Sequence, residues 1–474
     1  MERLNYIIFL LACLLISCDD FIELSPQSSI GEQAFFKTQE DLEVALNGVY
    51  ASLRFNGNFN SQWVYGELPS DNTDVTDPGG FNPDNAFDDL STMAPSNGRI
   101  EAAWRDHYRT IFRSNLIMDR MIDVDLTVQQ QDQIRGEALF LRALMYFNLV
   151  RMFGDVPLIT HPSSIEDSFE KGRDPVEVVY EQVINDLTTS AMLLPSSYPN
   201  NNDKGRATSG AANSLLGKVY LTLKQYDAAE SALRKVTGYD LVDDYAKLFT
   251  PSNAVSNRES IFEVAFISGN LGLGSRFTRA FLPNDFLDRG FIFSGDGKNR
   301  PTSSLLNAYE DGDLRFDASI ATSYINNQKD TVTDTSFPIK YIAPSTVPGD
   351  GDDNWIVLRY ADVLLMLAEA INENSGPTSE AVSLVNQVRT RAQLSDLPAS
   401  AIASKEAFED AIAQERRVEL AFEGHRWFDL IRTGKAIEAL AETGVIIQDY
   451  QLLFPIPQGE IDVNPGVMTQ NPGY

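Results

Sequence analysis

The sequence predicts a mainly α protein built from paired helices, and three observations predict it. Several long stretches carry apolar residues at spacings of three and four, the signature of amphipathic helices. Two segments repeat one scheme of small and large residues that suits a two-helix repeat. Turn-forming residues gather in two long stretches instead of being spread evenly between helices. With 474 residues, 43% of them apolar and 22% charged, the chain has the composition of a globular protein and can bury a large core.

The elements follow in order. Residues 41–53 (DLEVALNGVYASL) place Leu42, Ala45, Leu46, Val49 and Leu53 on one helical face. Residues 100–122, 132–153 and 175–194 read as three further helices, the last opened by Asp174 as N-cap and Pro175 at the first helical position. Residues 212–236 (ANSLLGKVYLTLKQYDAAESALRKV) have the pattern of a tetratricopeptide unit. Gly217 and Ala229 are its small residues, and Leu216, Tyr220, Leu233 and Val236 are its packing residues. Residues 364–388 repeat the scheme with Ala368, Ile371, Ala381, Val385 and Val388, and FLRALMY at 140–146 gives half of it again. The helices are thus expected at about 41–53, 100–153, 175–236 and 356–442.

Residues 55–96 and 253–354 differ in texture, being rich in Gly, Asn, Asp, Pro and aromatic residues. Segments of that length without helical period are functional loops with short strands more often than plain connections. SIFEVAFI at 260–267 alternates as a strand does. The end of the chain, LLFPIPQGEIDVNPGVMTQNPGY, reads as an extended segment laid over the helices.

The net charge of −29 argues against nucleic acid and other polyanions, whose phosphates or sulfates it would repel. The N-terminus argues for a membrane. MER is followed by YIIFLLACLLI, a run too short to span a bilayer but of the length of a signal-peptide core. It ends in LISC, which reads as a bacterial lipobox with Cys18 as the lipidated residue. Residues 1–17 are then the signal peptide and 18–30 a tether. Removal of Cys13 and lipidation of Cys18 leave no thiol for a disulfide, metal site or nucleophile. A multiply acylated terminus is a firm anchor without a transmembrane helix.

Taken together, these segments resemble the SusD/RagB family of Bacteroidetes surface lipoproteins over nearly the whole chain. The matching motifs, in order, are CDDF at the lipobox, ELPSD at 67–71, RGEALFLRALMYFNLVRMFGDVPLI at 135–159, GRATSGAANSLLGKVYL at 205–221, LRYADVLLMLAEAIN at 358–372, ERRVELAFEGHRWFDLIRTGK at 415–435, LLFPIP at 452–457 and the final QNPGY. The resemblance implies a SusD-like fold over 31–474, with about four tetratricopeptide-like helix pairs beneath a loop-rich region. It also implies a role: capture of an oligosaccharide or polysaccharide at the outer-membrane surface and delivery to a SusC-like TonB-dependent transporter. No catalysis and no cofactor is implied. Peptide or glycoprotein capture by the same architecture is the alternative, and a glycoside hydrolase or a plain tetratricopeptide adaptor are readings from other classes.

Residues 415–434 (ERRVELAFEGHRWFDLIRTG) invite a catalytic reading, because Glu419 and Glu423 lie one turn apart. Acids on one helix face point the same way, however, and do not flank a substrate as glycosidase carboxylates do. The alternative pairs Glu415 with Arg416 or Arg417, Glu423 with Arg426 and Asp429 with Arg432, as ties across a helix junction. His107, His161 and His425 are too scattered for a transition-metal cluster. Asp350, Asp352 and Asn354 imitate a calcium loop, but Trp355 and Ala361 stand where glycine and glutamate are required, so a structural calcium has no supporting motif and a solvated acidic turn is expected.

Sugars are gripped by aromatic faces flanked by amides and carboxylates. Trp104 and Trp427 lie in helical patterns and are expected in the core, whereas Trp355 fits either role. Trp63, with Tyr65 beside it and Asp71 and Asn72 after it, is the leading carbohydrate-binding candidate, set against a role packed beneath its loop. Phe81, Phe291 and Tyr341 lie in similar loops. If Trp63 stacks on sugar, Trp63→Ala abolishes glycan binding and spares the fold. Starch-binding members show an aromatic arc near ELPSD; here DNTDVTDPGG follows, with no aromatic before Phe81, which points away from starch.

Overall fold

Thr38 accepts a hydrogen bond from the Asp41 N–H while the Asp41 carboxylate accepts from the Thr38 N–H, and this reciprocal cap starts helix α1 (Gln39–Ser52). The structure is a computed structural model that describes residues 35–75, 82–163, 170–200, 203, 205–250, 257–287, 291 and 294–474. The signal peptide, the tether, Cys18 and Phe81 therefore lie outside the described residues.

The helices expected from periodicity are present. They are α2 (Gly98–Arg120), α3 (Val128–Phe153), α4 (Val176–Leu193), α5 (Ser209–Thr222) and α6 (Tyr226–Leu233), followed later by α7 (Tyr360–Ser375), α8 (Ser379–Arg391), α9 (Lys405–Glu419), α10 (Arg426–Thr433) and α11 (Ala436–Thr443). From α2 to α8 each helix packs on the next, and α9 packs back on α7. This is the neighbour-to-neighbour contact of a helical-repeat array. Within the 212–236 unit, a Cβ added at Gly217 would lie 2.5 Å from the Leu233 methyls, so the small residue sets how closely α5 and α6 approach.

One start differs from expectation. Pro175, not Asp174, is the N-cap of α4. Asp174 is drawn into an extended bridge with Val156, and its carboxylate accepts the Leu158 N–H at 2.7 Å.

Strand β1 (Ser260–Val264) pairs antiparallel with β2 (Trp355–Arg359), which runs directly into α7. Trp355 therefore belongs to a fully buried strand and does not open a helix. Val264 faces Trp355, so the ladder closes the base of the 265–354 insertion. Among the described residues of that insertion the strand pairings are two residues long, 320–321 with 337–338 and 324–325 with 331–332, beside single bridges at Ser275 with Gly351 and Phe286 with Asn326, while 300–301 pairs with 73–74 of the first loop region. One apolar core runs from Leu42 to Met468, with small satellites around Phe286 and Phe422. The C-terminal segment straps the end of α3: the Phe454 N–H donates to the Met152 carbonyl at 2.7 Å, and the Asn471 amide donates to the carbonyls of Phe153 and Phe454. Among the described residues, no helix is long and apolar enough to cross a membrane.

Candidate functional site

The 415–434 segment lies inside the protein. Glu415 and Glu419 on α9 and Glu423 in the following turn are 0–2% exposed. They face basic residues from four other parts of the chain. Arg315 bonds Asp313, Glu415 and Glu419; Arg359, at the end of β2, bonds Glu259, Glu419 and Glu423; Arg391 bonds Glu259 and Glu419; Lys340 donates to Glu423 at 2.8 Å. Of the pairs expected between sequence neighbours, Asp429 with Arg432 forms at 2.8 Å, but the others do not. Arg417 and Arg426 instead clamp Asp71, and Arg416 bonds Asp362 and Asp429. Arginine–carboxylate pairs are often bidentate, a geometry that residues adjacent on one helix seldom supply.

Electrostatics mark these acids as fixed charges. Burial would raise the Glu419 carboxyl, yet Arg391, Arg359 and Arg315 hold it well below the usual carboxylate range. Glu423 is lowered against the same burial by Arg359 and Lys340, whereas at Glu415 burial outweighs its arginines and the carboxyl rises. A general acid needs access to substrate and a proton to give near neutral pH. Glu419 and Glu423 have neither.

Nor is the acidic turn at 350–354 solvated. Asp350 accepts the N–H groups of Gly269 and Asn270 at 2.8 and 2.7 Å, Asp352 accepts from Ser268, and Asp353 is buried against Thr278 and the Ala343 N–H. These acids cap a neighbouring loop's backbone. Among the described residues, no group of three His, Cys, Asp or Glu is placed to hold a metal ion.

Apart from Phe81, the carbohydrate-binding candidates are buried. Trp63 is 2% exposed and meets Phe281 edge-on at 5.4 Å. Tyr341 stacks on Trp355 at 5.1 Å, and Phe277 touches Phe281, Tyr341 and Trp355. The structure thus does bring Trp63 and Tyr341 into one aromatic cluster, but the cluster is closed and seats the loop region on the helices. Tyr65 is buried with its hydroxyl on the Arg99 carbonyl, Phe291 belongs to the satellite core, and Asp71 and Asn72 are held by Arg426, Arg417 and Glu67. Turn-rich sequence hid this burial, because a loop thick enough to have its own core shows no period. Trp63→Ala is accordingly expected to lower stability by about 3–5 kcal/mol, the range for a large aromatic lost from a core. A thermal melt of the variant measures it; an unchanged melt with lost glycan binding would restore the stacking role.

One polar feature of the loop region is the ribbon of residues 73–74 and 300–301. Asp74 and Arg300 pair across it at 2.9 Å, both part-exposed. The nearby Asp88 carboxyl is pushed up to about 7 by partial burial and by the charges of Asp74 and Asp89. Beneath the ribbon, the buried Asn299 amide and Thr73 hydroxyl have no protein partner. Such a face, with part-exposed carboxyls and a guanidinium, can exchange hydrogen bonds with hydroxyl-rich ligands. Sequence reading missed Asp88 and Arg300, since a pairing 226 residues apart leaves no local signal. A wider groove of about 1280 Å³ runs between residues 240–243 and α8, but there Asn386, Gln387 and Thr390 already bond within their own segment.

A helical-repeat scaffold carrying a polar loop face, with its paired acids locked away from solvent, is the architecture expected of a SusD-like protein. Comparison with known proteins agrees. Residues 319–474 match the SusD family, and residues 20–221 match the family described as "Starch-binding associating with outer membrane". A laminarin-binding SusD-like protein of known structure is 31% identical, with a TM-score of 0.80 over 92% of this chain and 100% of its own. The surface glycan-binding protein A of Bacteroides fluxus is 25% identical, with a TM-score of 0.79 over 92% of this chain and 100% of its own. A SusD-like protein of Formosa agariphila is 28% identical over 99% of this chain and 98% of its own length. The chain belongs to the SusD family.

Proposed function

We propose that this protein, anchored by lipid at Cys18 on the outer-membrane surface, captures a glycan and hands it to a SusC-like TonB-dependent transporter without cleaving it. The observation that carries this reading is the similarity over 92% of the chain to a structure that binds laminarin. The lipobox supports the anchor, and the shielding of Glu419 and Glu423 supports binding without hydrolysis. The ribbon face with Asp74, Asp88 and Arg300 is the surface assigned to the glycan.

Affinity electrophoresis of the domain without its signal peptide, run against a panel of polysaccharides with product analysis, tests the reading. Retardation by at least one glycan with no shortening of the polymer is the expected result. Release of oligosaccharides would refute it, and retention of peptides alone would replace the ligand class. Within the site, Arg300→Ala should weaken retardation while leaving the melt within about 0.5 kcal/mol of the parent, as for surface substitutions generally.

A further inference from the structure

Helix α2 presents Arg105, Arg109 and Arg113 on successive turns, with Phe112 among them. Residues four apart share a helix face. Together with Lys171, these arginines border an open groove of about 720 Å³ floored by Trp104 and Tyr108, whose rings lie 5.1 Å apart. The C-terminal segment closes the far wall with Glu460, which accepts a hydrogen bond from the Trp104 side chain. Among the described residues lining the groove, four are cations and Glu460 is the carboxylate.

The cations are only loosely neutralised. Arg105 and Arg109 share the single carboxylate of the buried Asp106, at 3.0 and 3.5 Å, and remain 44% and 59% exposed. Lys171 pairs with Asp174 at 2.8 Å. Arg113 donates to the Gly48 carbonyl and lies over the Phe55 ring. Phe112 is 45% exposed, more than any other described aromatic residue.

An exposed ring beside part-free guanidinium forks is an unusual surface for a chain of charge −29. The bulk charge does not forbid an anion here, because in physiological salt a charge is felt over about 8 Å only. Guanidinium groups read carboxylate and sulfate in bidentate fashion, and an aromatic face covers the apolar side of a sugar ring. We infer that this groove binds an acidic glycan, its uronate or sulfate groups on Arg105, Arg109 and Arg113 and a sugar face on Phe112. The inference rests on the glycan-capture reading and adds a second contact surface to it, with a ligand class.

The test uses alginate as a uronate polymer, dextran sulfate as a sulfated one, laminarin as a neutral one, and phosphatidylglycerol vesicles as a lipid surface. The variants are Arg109→Ala/Arg113→Ala, Phe112→Ala and, as a control on an exposed arginine elsewhere, Arg234→Ala. At least one acidic glycan should bind in 0.15 M salt, with affinity reduced roughly tenfold or more by the double variant and by Phe112→Ala, a loss on the scale of one charge-assisted contact. Arg234→Ala should not change it, nor should the double variant alter retention of a neutral glycan. Binding of neutral glycans alone overturns the inference and leaves the capture reading standing. Acidic binding that survives the double variant overturns it too, and binding of vesicles without glycans would make the groove a lipid site. Failure of every glycan, neutral and acidic, is the distinct result that removes the capture reading itself.

Discussion

Arg359→Leu is expected to unfold the protein near neutral pH. The guanidinium is 1% exposed and donates to Glu423 at 2.7 and 2.8 Å, to Glu259 at 3.0 Å, to Glu419, and to the Glu419 carbonyl at 2.7 Å. Removing one partner of a single buried ion pair typically costs about 3–5 kcal/mol, because the remaining charge stays desolvated and alone. Here Glu259, Glu419 and Glu423 all lose their shared partner, and total stabilities are only about 5–15 kcal/mol. Arg391 and Lys340 retain part of the compensation, so the loss falls short of three full pairs.

The pH dependence gives this prediction its sign. In the parent, Glu419 and Glu423 are held below their ordinary value of 4.5, so their contribution is present above that value and is lost as pH falls through the lowered one. In the variant the same carboxyls are buried without their guanidinium and titrate upward. Their protonation then favours the folded state, and the stability gap between variant and parent should narrow as pH is lowered from 7 toward 5. Chemical denaturation at several pH values measures both. A variant as stable as the parent at pH 7, or a gap that widens in acid, would show that the cluster does not hold the fold together.

Gly66→Ala is expected to destabilise the protein by a different route. The backbone of Gly66 lies against that of Gly424, and an added Cβ would sit 2.0 Å from the Gly424 carbonyl oxygen, where no flexible side chain can yield. The contact exists because Gly424 holds a left-handed turn at φ 74°. The next residue, Glu67, is fully buried in that turn. It accepts the N–H groups of Phe422 and Gly424 and the Asn72 amide, all at 3.0 Å. Pushing the two backbones apart pulls Glu67 from these donors, and each buried donor left unpaired costs about 1–3 kcal/mol on top of the steric cost. Thermal melts of Gly66→Ala beside Glu67→Ala separate the two parts: both should fall by several degrees, and Gly66→Ala should fall at least as far. A Gly66→Ala protein that melts with the parent would mean the turn can move aside at no cost.

These two sites also show what the sequence could disclose. Helices such as α1, α2 and α3 were legible because their apolar residues recur at short range, within the reach of a helical period. The strand at Trp355–Arg359 was not legible, since its identity depends on a partner that begins at Ser260. The segment around Glu419 was recognisable as structural from the geometry of acids on one helix, yet its partners were misassigned. Arg315, Arg359 and Arg391 arrive from distant segments, and no spacing records that meeting. The binding surface was the least legible part. Trp63 and Tyr341 looked like loop aromatics, but the loops are deep enough to enclose them. The net charge of −29, an average over the whole surface, concealed the basic groove even though RDHYRTIFR displays its four-residue rhythm.

The ladder between β1 and β2 has a further consequence for how the insertion can vary in length. Because Val264 and Trp355 face each other, the 90-residue excursion between them leaves and re-enters the scaffold at a single doorway. Lengthening a closed loop costs little, about 0.6 kcal/mol for each doubling. The outer part of the insertion, around the short pairings of 320–321 with 337–338 and 324–325 with 331–332, can therefore lengthen while the helices stay as they are, whereas Arg315 and Lys340 must be kept because they tie the insertion to Glu415, Glu419 and Glu423.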